Sequence, residues 1–185
     1  MKKLIFMILM LLPILAEGQD LASFVLMPDG TYLTENGEDF TVIYFEGKTS
    51  HEIYQELASN VGSTFNDPSK VMSGVEDTFI KIRAFSDDLI RINVLGLGQS
   101  LGGYYQLEFR IKDGRVRVSA PIVEETMWID RPIARKFPKE VEGYFKNGEL
   151  KSKKKKDYDI VVAKMNNVVN RILHTSTIQD TNSDW

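Results

Sequence analysis

Between Thr78 and Ala120 the sequence alternates apolar and polar residues with a period of two in four successive runs, and no other feature constrains the fold as tightly. Ile80, Ile82 and Ala84 alternate with Lys81 and Arg83, and Ile90, Ile92 and Val94 with Arg91 and Asn93. Tyr105, Leu107, Phe109 and Ile111 alternate with Gln106, Glu108 and Arg110, and Val116 and Val118 with Arg115 and Arg117. Successive side chains of a strand point to opposite faces, so each run offers one face to a core and one to water. Ser86-Asp87-Asp88 is short enough for a hairpin turn, and Lys112-Asp113-Gly114 carries the Asp-Gly pair that marks one. The expectation is an antiparallel meander.

Helices flank it. Phe40 to Phe45 is β-branched and aromatic and reads as a first core strand ended by Gly47. Thr49-Ser50-His51-Glu52 then matches a capping box, and Ile53, Tyr54, Leu57, Ala58 and Val61 form one helical stripe. Asn66-Asp67-Pro68 marks the turn after it. A second stripe, Ile160, Val161, Met165, Val168, Val169 and Ile172, predicts a C-terminal helix ending near His174. Its ordered part is expected to start near Asp157 or Asp159, because lysines at a helix N-terminus oppose the dipole. The fold class is α+β: a curved antiparallel sheet with one helix after the first core strand and another at the C-terminal side.

The stretch Asn93-Val94-Leu95-Gly96-Leu97-Gly98-Gln99-Ser100-Leu101-Gly102-Gly103 suggests a phosphate-binding loop. The dinucleotide fingerprint fails, because the sixth position counted from Gly96 is Leu101, and an alternating strand follows instead of a helix. No Gly-Lys-Ser/Thr follows either. The reading is a long, loose connection between two strands, with Tyr104 and Tyr105 at its rim.

The organisation expected is a signal peptide over 1–18, an extension over 19–38 with a short peripheral strand pair, one domain over 39–174, and a polar tail over 175–185. Residues 121–150 form a long connection, in which Pro138 to Glu142 reads as a helix start and Asn147-Gly148 as a turn. Lys2 and Lys3, the apolar run Leu4 to Leu15 and Ala16-Glu17-Gly18 have the order of a cleavable export signal, with Gln19 first in the mature chain. About a dozen apolar residues fall short of the roughly 20 that span a bilayer. The chain has Cys 0, which excludes lipid attachment at a cysteine, disulfides and thiolate chemistry. The expected location is periplasmic or secreted. A formal net charge of −3 gives no general attraction to nucleic acid, so no nucleic-acid partner is expected.

Catalytic patterns are missing. The two histidines, His51 and His174, have no metal-binding spacing and read as surface or capping residues; no Gly-x-Ser-x-Gly elbow occurs. Asp87-Asp88 and Glu124-Glu125 are adjacent acids that point apart, unlike the facing pair of a glycosidase. No catalytic, cofactor or metal residues are assigned. Two clusters remain as candidate contacts. Tyr104 and Tyr105, with Met127 and Trp128, are candidates for a ligand or partner, although Met127-Trp128-Ile129 reads more simply as closure over a sheet edge. Lys153, Lys154, Lys155 and Lys156 are candidates for an anionic surface, against the plainer reading of a solvated helix lead-in.

The residues Tyr44-Phe45-Glu46-Gly47-Lys48, Glu52-Ile53-Tyr54, Asn66-Asp67-Pro68, Val75-Glu76 and the hairpin Phe109 to Val118 resemble a family of exported Bacteroidota proteins of unknown function with a TBP-like fold. The resemblance covers about half of the chain after the leader and implies a helix packed on a curved antiparallel sheet, with a second helix at the C-terminal side; it brings no catalytic residues and does not imply DNA binding. The function expected is a non-enzymatic exported domain that binds a protein, glycan or lipid partner in the cell envelope. Two alternatives stay open: an envelope structural component held by the lysine cluster, and an enzyme using Tyr104, Tyr105 and Glu108.

Overall fold

A computed structural model describes residues 21–94, 97–128, 134–137 and 141–174. The leader over 1–18, Gln19, Ile129, Pro138 to Glu140 and the tail over 175–185 lie outside the described residues. In chain order the strands and helices are β1 (Val25–Leu26), β2 (Tyr32–Leu33), β3 (Phe40–Tyr44), α1 (Ser50–Thr64), α2 (Pro68–Val71), β4 (Met72–Val75), β5 (Phe79–Val94), β6 (Leu97–Lys112), β7 (Arg115–Ser119), β8 (Ile122–Met127), β9 (Ala134–Lys136), β10 (Phe145–Lys146), β11 (Glu149–Leu150) and α3 (Lys155–Leu173). The main sheet is antiparallel and curved, with strand order β3-β7-β6-β5-β4. Strand β8 lies beside β6, and β9 beside β8. Helices α1 and α3 pack against each other and against β5.

The alternation places the core as expected. Ile80, Ile82, Ala84, Tyr105, Leu107, Phe109, Ile111, Val116 and Val118 are buried with Ile53, Leu57 and Val61 of α1 and Val161, Met165, Val169 and Ile172 of α3. Thr49 caps α1 in a complete capping box with Glu52. The β6–β7 turn reverses over Asp113 and Gly114, the glycine taking φ 71°.

Three expectations about connections are corrected. Ser86-Asp87-Asp88 is no hairpin: β5 runs on as one strand, with a bulge between the pairs Ser86↔Gly103 and Ile90↔Leu101. Two extra residues enter β5 there, so the period of two stays in phase, and that is why two separate inward runs looked like two strands. The glycine-rich stretch is not a loose connection. Strand β5 pairs with β6 up to Val94↔Leu97, and Gly98, Gly102 and Gly103 belong to β6; Leu95 and Gly96 lie outside the described residues. A Cβ on Gly102 would stand 2.7 Å from the Phe85 ring, and one on Gly103 would press on the Glu125 carbonyl and stand 2.9 Å from Leu89. These glycines allow close approach within the sheet. Finally, α3 begins at Lys155, after a 3-10 turn over Ser152–Lys154. The early start is offset by carboxylates one turn on, with Lys155 Nζ 2.7 Å from Asp159 and Lys154 Nζ 3.8 Å from Asp157.

The N-terminal segment, expected at the periphery, is core. Ala22, Phe24, Leu26 and Tyr32 are all buried. Asn170 accepts from the Ala22 amide (2.9 Å) and donates to its carbonyl (2.8 Å), and Asn166 does the same for Phe24 (3.0 and 2.9 Å). Four residues of helix rise about 6 Å, close to the roughly 6.7 Å between alternate residues of a strand. Two side-chain amides of α3 thus act as a neighbouring strand. The segment over 121–150 is likewise structured where described: β8 and β9 extend the sheet, a 3-10 turn covers Val141–Gly143, and Asn147 (φ 53°) and Gly148 (φ 82°) make the β10–β11 turn.

Candidate functional site

Strand β6 has two neighbours on the edge away from β5: β7 along Phe109 to Lys112 and β8 along Gly102 to Gln106. Between them the chain turns at Ala120-Pro121. Proline has no amide to donate, so the ladder cannot continue through it. A cavity of about 540 Å³ opens at this break. Leu107, Val123, Pro121 and Phe137 give it apolar walls, the β1–β2 turn closes one side, and Lys81, Gln106, Glu108, Arg117 and Ser119 bring polar groups.

The charges around it are mostly fixed. Asp29, on the β1–β2 turn, accepts from the Thr31 hydroxyl (2.7 Å) and amide (3.0 Å), which hold its carboxyl below the ordinary carboxylate range. Glu108 accepts from Arg110 Nε at 2.7 Å. Beside the cavity, Glu124 is the extra residue of a second bulge, between the pairs Tyr105↔Val123 and Tyr104↔Glu125. It accepts from Arg83 Nε (3.0 Å) and Nη2 (2.7 Å) and from Gln106, and these bonds, Arg83 first, lower its pKa. Arg83 also lies 4.4 Å over the Tyr104 ring, and Arg117 4.2 Å over Phe40. The Lys81 ammonium makes no hydrogen bond or ion pair among the described residues, although its carbonyl accepts from Ser73 Oγ at 3.5 Å.

The candidates from sequence do not form one site. Tyr104 and Tyr105 are neighbours on β6 and therefore face opposite ways. Tyr104 packs edge-on against Phe85 on the outer face (5.1 Å), whereas Tyr105 is buried, and burial pushes its hydroxyl up to about 12. Met127 ends β8 opposite Gly102, and Trp128 packs partly buried against the core, so this pair covers the β6 edge. Of the four lysines, Lys154 and Lys155 are engaged with Asp157 and Asp159. His174 is the C-cap of α3, as one of its two readings expected, but it is buried and stacks on Phe45 (5.6 Å), which corrects the other, a surface residue. His51 Nδ1 lies 3.0 Å from Asp77 Oδ1, and with Glu76 these residues place ligand-type atoms within 4.8 Å of one another. Spacing along the chain did not suggest that grouping, in which His51 and Asp77 are in exposed hydrogen-bond contact. The cavity itself was missed. Pro121 directly after an alternating run was the signal for it.

Fold and site together define a two-layer α+β domain with a ligand-sized break in its sheet. No protein-family model matches the sequence, and no curated protein matches it. Among solved structures the chain is similar to a TBP-like protein from Parabacteroides distasonis ATCC 8503, at 11% identity and a TM-score of 0.48, over 72% of this chain and 90% of that one. At this score the likeness bears on neither ligand nor activity.

Proposed function

We propose that the protein is an exported, non-enzymatic binding domain that takes a small ligand with both polar and apolar groups into the cavity between β7 and β8. The observation that carries this reading is the break at Ala120-Pro121, which opens about 540 Å³ between apolar walls with convergent polar groups. Small-molecule sites commonly have that character and volumes of roughly 300–1,000 Å³. Asp29 on the cavity wall and Glu124 beside it are both held below the ordinary carboxylate range by their donors, so neither is set up as a general acid. Export is supported by the basic start, the short apolar run and the small residues before Gln19. No helix among the described residues is long and apolar enough to cross a membrane.

The test is thermal shift of wild type and Ser119→Trp, which fills the rim, against panels of organic acids, amino acids and short oligosaccharides. A true ligand at about 100 times its Kd adds about 2.7 kcal/mol and raises the Tm of the wild type but not of the variant. Equal shifts in both proteins, or none in either, would remove the cavity as the site. Mass spectrometry of protein expressed with its own leader should find Gln19 at the N-terminus, and a retained leader would refute the export reading.

A further inference from the structure

The β6–β7 hairpin carries a charge arrangement that its own fold does not require. In its register Arg110 stands opposite Arg117, and Lys112 opposite Arg115. Opposed residues share a face, and Phe109, Ile111, Val116 and Val118 occupy the core side, so all four cations lie on the outer face. Like charges directly opposite destabilise a strand pair, and here two such pairs are adjacent. Few carboxylates relieve them. Glu108 bonds Arg110 at 2.7 Å, while Asp39 stays 3.9 Å from Arg117. The side chains of Lys112 and Arg115 make no hydrogen bond or ion pair among the described residues. Aromatic rings border the array: Phe40 beneath Arg117, Phe79 opposite Arg110, and Tyr44, 60% exposed, opposite Arg115.

The spacing limits what would fit. Same-face residues along a strand are about 6.7 Å apart and opposed Cα atoms about 4.5–5.5 Å. Four cations on so small a footprint match one compact, multiply charged anion better than an extended chain of single charges. Guanidinium groups meet phosphate oxygens through paired hydrogen bonds, and an ammonium adds a point charge. We infer that this array binds a ligand carrying two or more adjacent phosphoryl groups, either a free oligophosphate or the phosphorylated head of a lipid. The array is distinct from the cavity: Arg117 lines both, but Arg110, Lys112 and Arg115 do not line the cavity.

The full mature chain is titrated with sodium tripolyphosphate, with inorganic monophosphate, with a single-stranded oligonucleotide, and with phosphatidylcholine vesicles with and without a lipid whose head carries a diphosphate. Calorimetry and thermal shift report binding to wild type, to the double variant Lys112→Thr/Arg115→Thr, and to Ser119→Trp. Tripolyphosphate should bind wild type about tenfold or more tighter than monophosphate, and the double variant should lose that preference. Without ligand the double variant should melt higher than wild type, because threonine suits a strand and the repulsion is gone. A purely structural role for these residues predicts the reverse. Ser119→Trp should bind as wild type, which separates this array from the cavity. Binding of the doped vesicles alone assigns the ligand to a lipid head; binding of tripolyphosphate as well assigns it to free oligophosphates. No binding by either, equal binding by the double variant, or tighter binding of a single-stranded oligonucleotide than of tripolyphosphate overturns the assignment.

Discussion

Replacing Asn170 with alanine tests how the N-terminal segment is held. The Asn170 amide makes both hydrogen bonds of the Ala22 peptide groups, at 2.9 and 2.8 Å, and both residues are buried, Ala22 at 1% exposure and Asn170 at 6%. Alanine leaves the Ala22 N–H and C=O without partners in a place water does not reach. Each orphaned buried group costs about 1–3 kcal/mol, so the expected loss for the two is about 2–6 kcal/mol. That is a large share of a typical stability of about 5–15 kcal/mol. Asn166→Ala removes the equivalent pair at Phe24, but Asn166 is only half-buried, and water can replace part of what is lost. Its expected cost is about 1 kcal/mol. Urea denaturation measures both, and hydrogen exchange should show the Ala22 amide protected in wild type and fast in Asn170→Ala. A loss below about 1 kcal/mol for Asn170→Ala, or exchange at Ala22 unchanged by it, would refute the view that α3 serves this segment as a strand.

The remaining predictions concern the sheet. Gly103→Ala forces a Cβ onto the Glu125 backbone carbonyl and should cost about 1–3 kcal/mol, whereas Gly98→Ala meets only the Arg91 side chain at 3.3 Å and should be close to neutral; equal melting shifts would count against the close-approach account. Glu124 has a lowered pKa, so its contribution is fully present above the ordinary glutamate value of 4.5 and is lost as pH falls through the lower folded value. The Tm difference between wild type and Glu124→Gln should therefore be present at neutral pH and close in acid below 4.5, and a gap independent of pH would show that the carboxylate charge is not responsible.

Much of the architecture could be read along the chain because its causes are local. The capping box at Thr49 and Glu52 involves residues three apart, the Asp113-Gly114 reversal is set by a turn that suits glycine, and the inward faces of β5, β6 and β7 follow from a period of two. The errors came where one local pattern permits two structures. Ser86-Asp87-Asp88 is polar in a hairpin and equally polar in a bulge, and a two-residue bulge keeps the alternation in phase. The glycines of β6 suit a loop by composition, yet they sit where Phe85, Leu89 and Glu125 come too close for a side chain.

By itself the sequence determined the α+β class, the helix faces, the strand faces and the missing catalytic patterns, since each depends on residue types within a few positions of one another. Only the tertiary structure decided that Ala22 and Phe24 are gripped by asparagines 148 and 142 residues away. It likewise decided that the connection after β7 returns along β6 to leave a cavity at Pro121. The physical reason is the same in each case. Register and long-range approach are set by the packing of the assembled sheet and helices, and a partner more than a hundred residues away leaves no local periodicity to read.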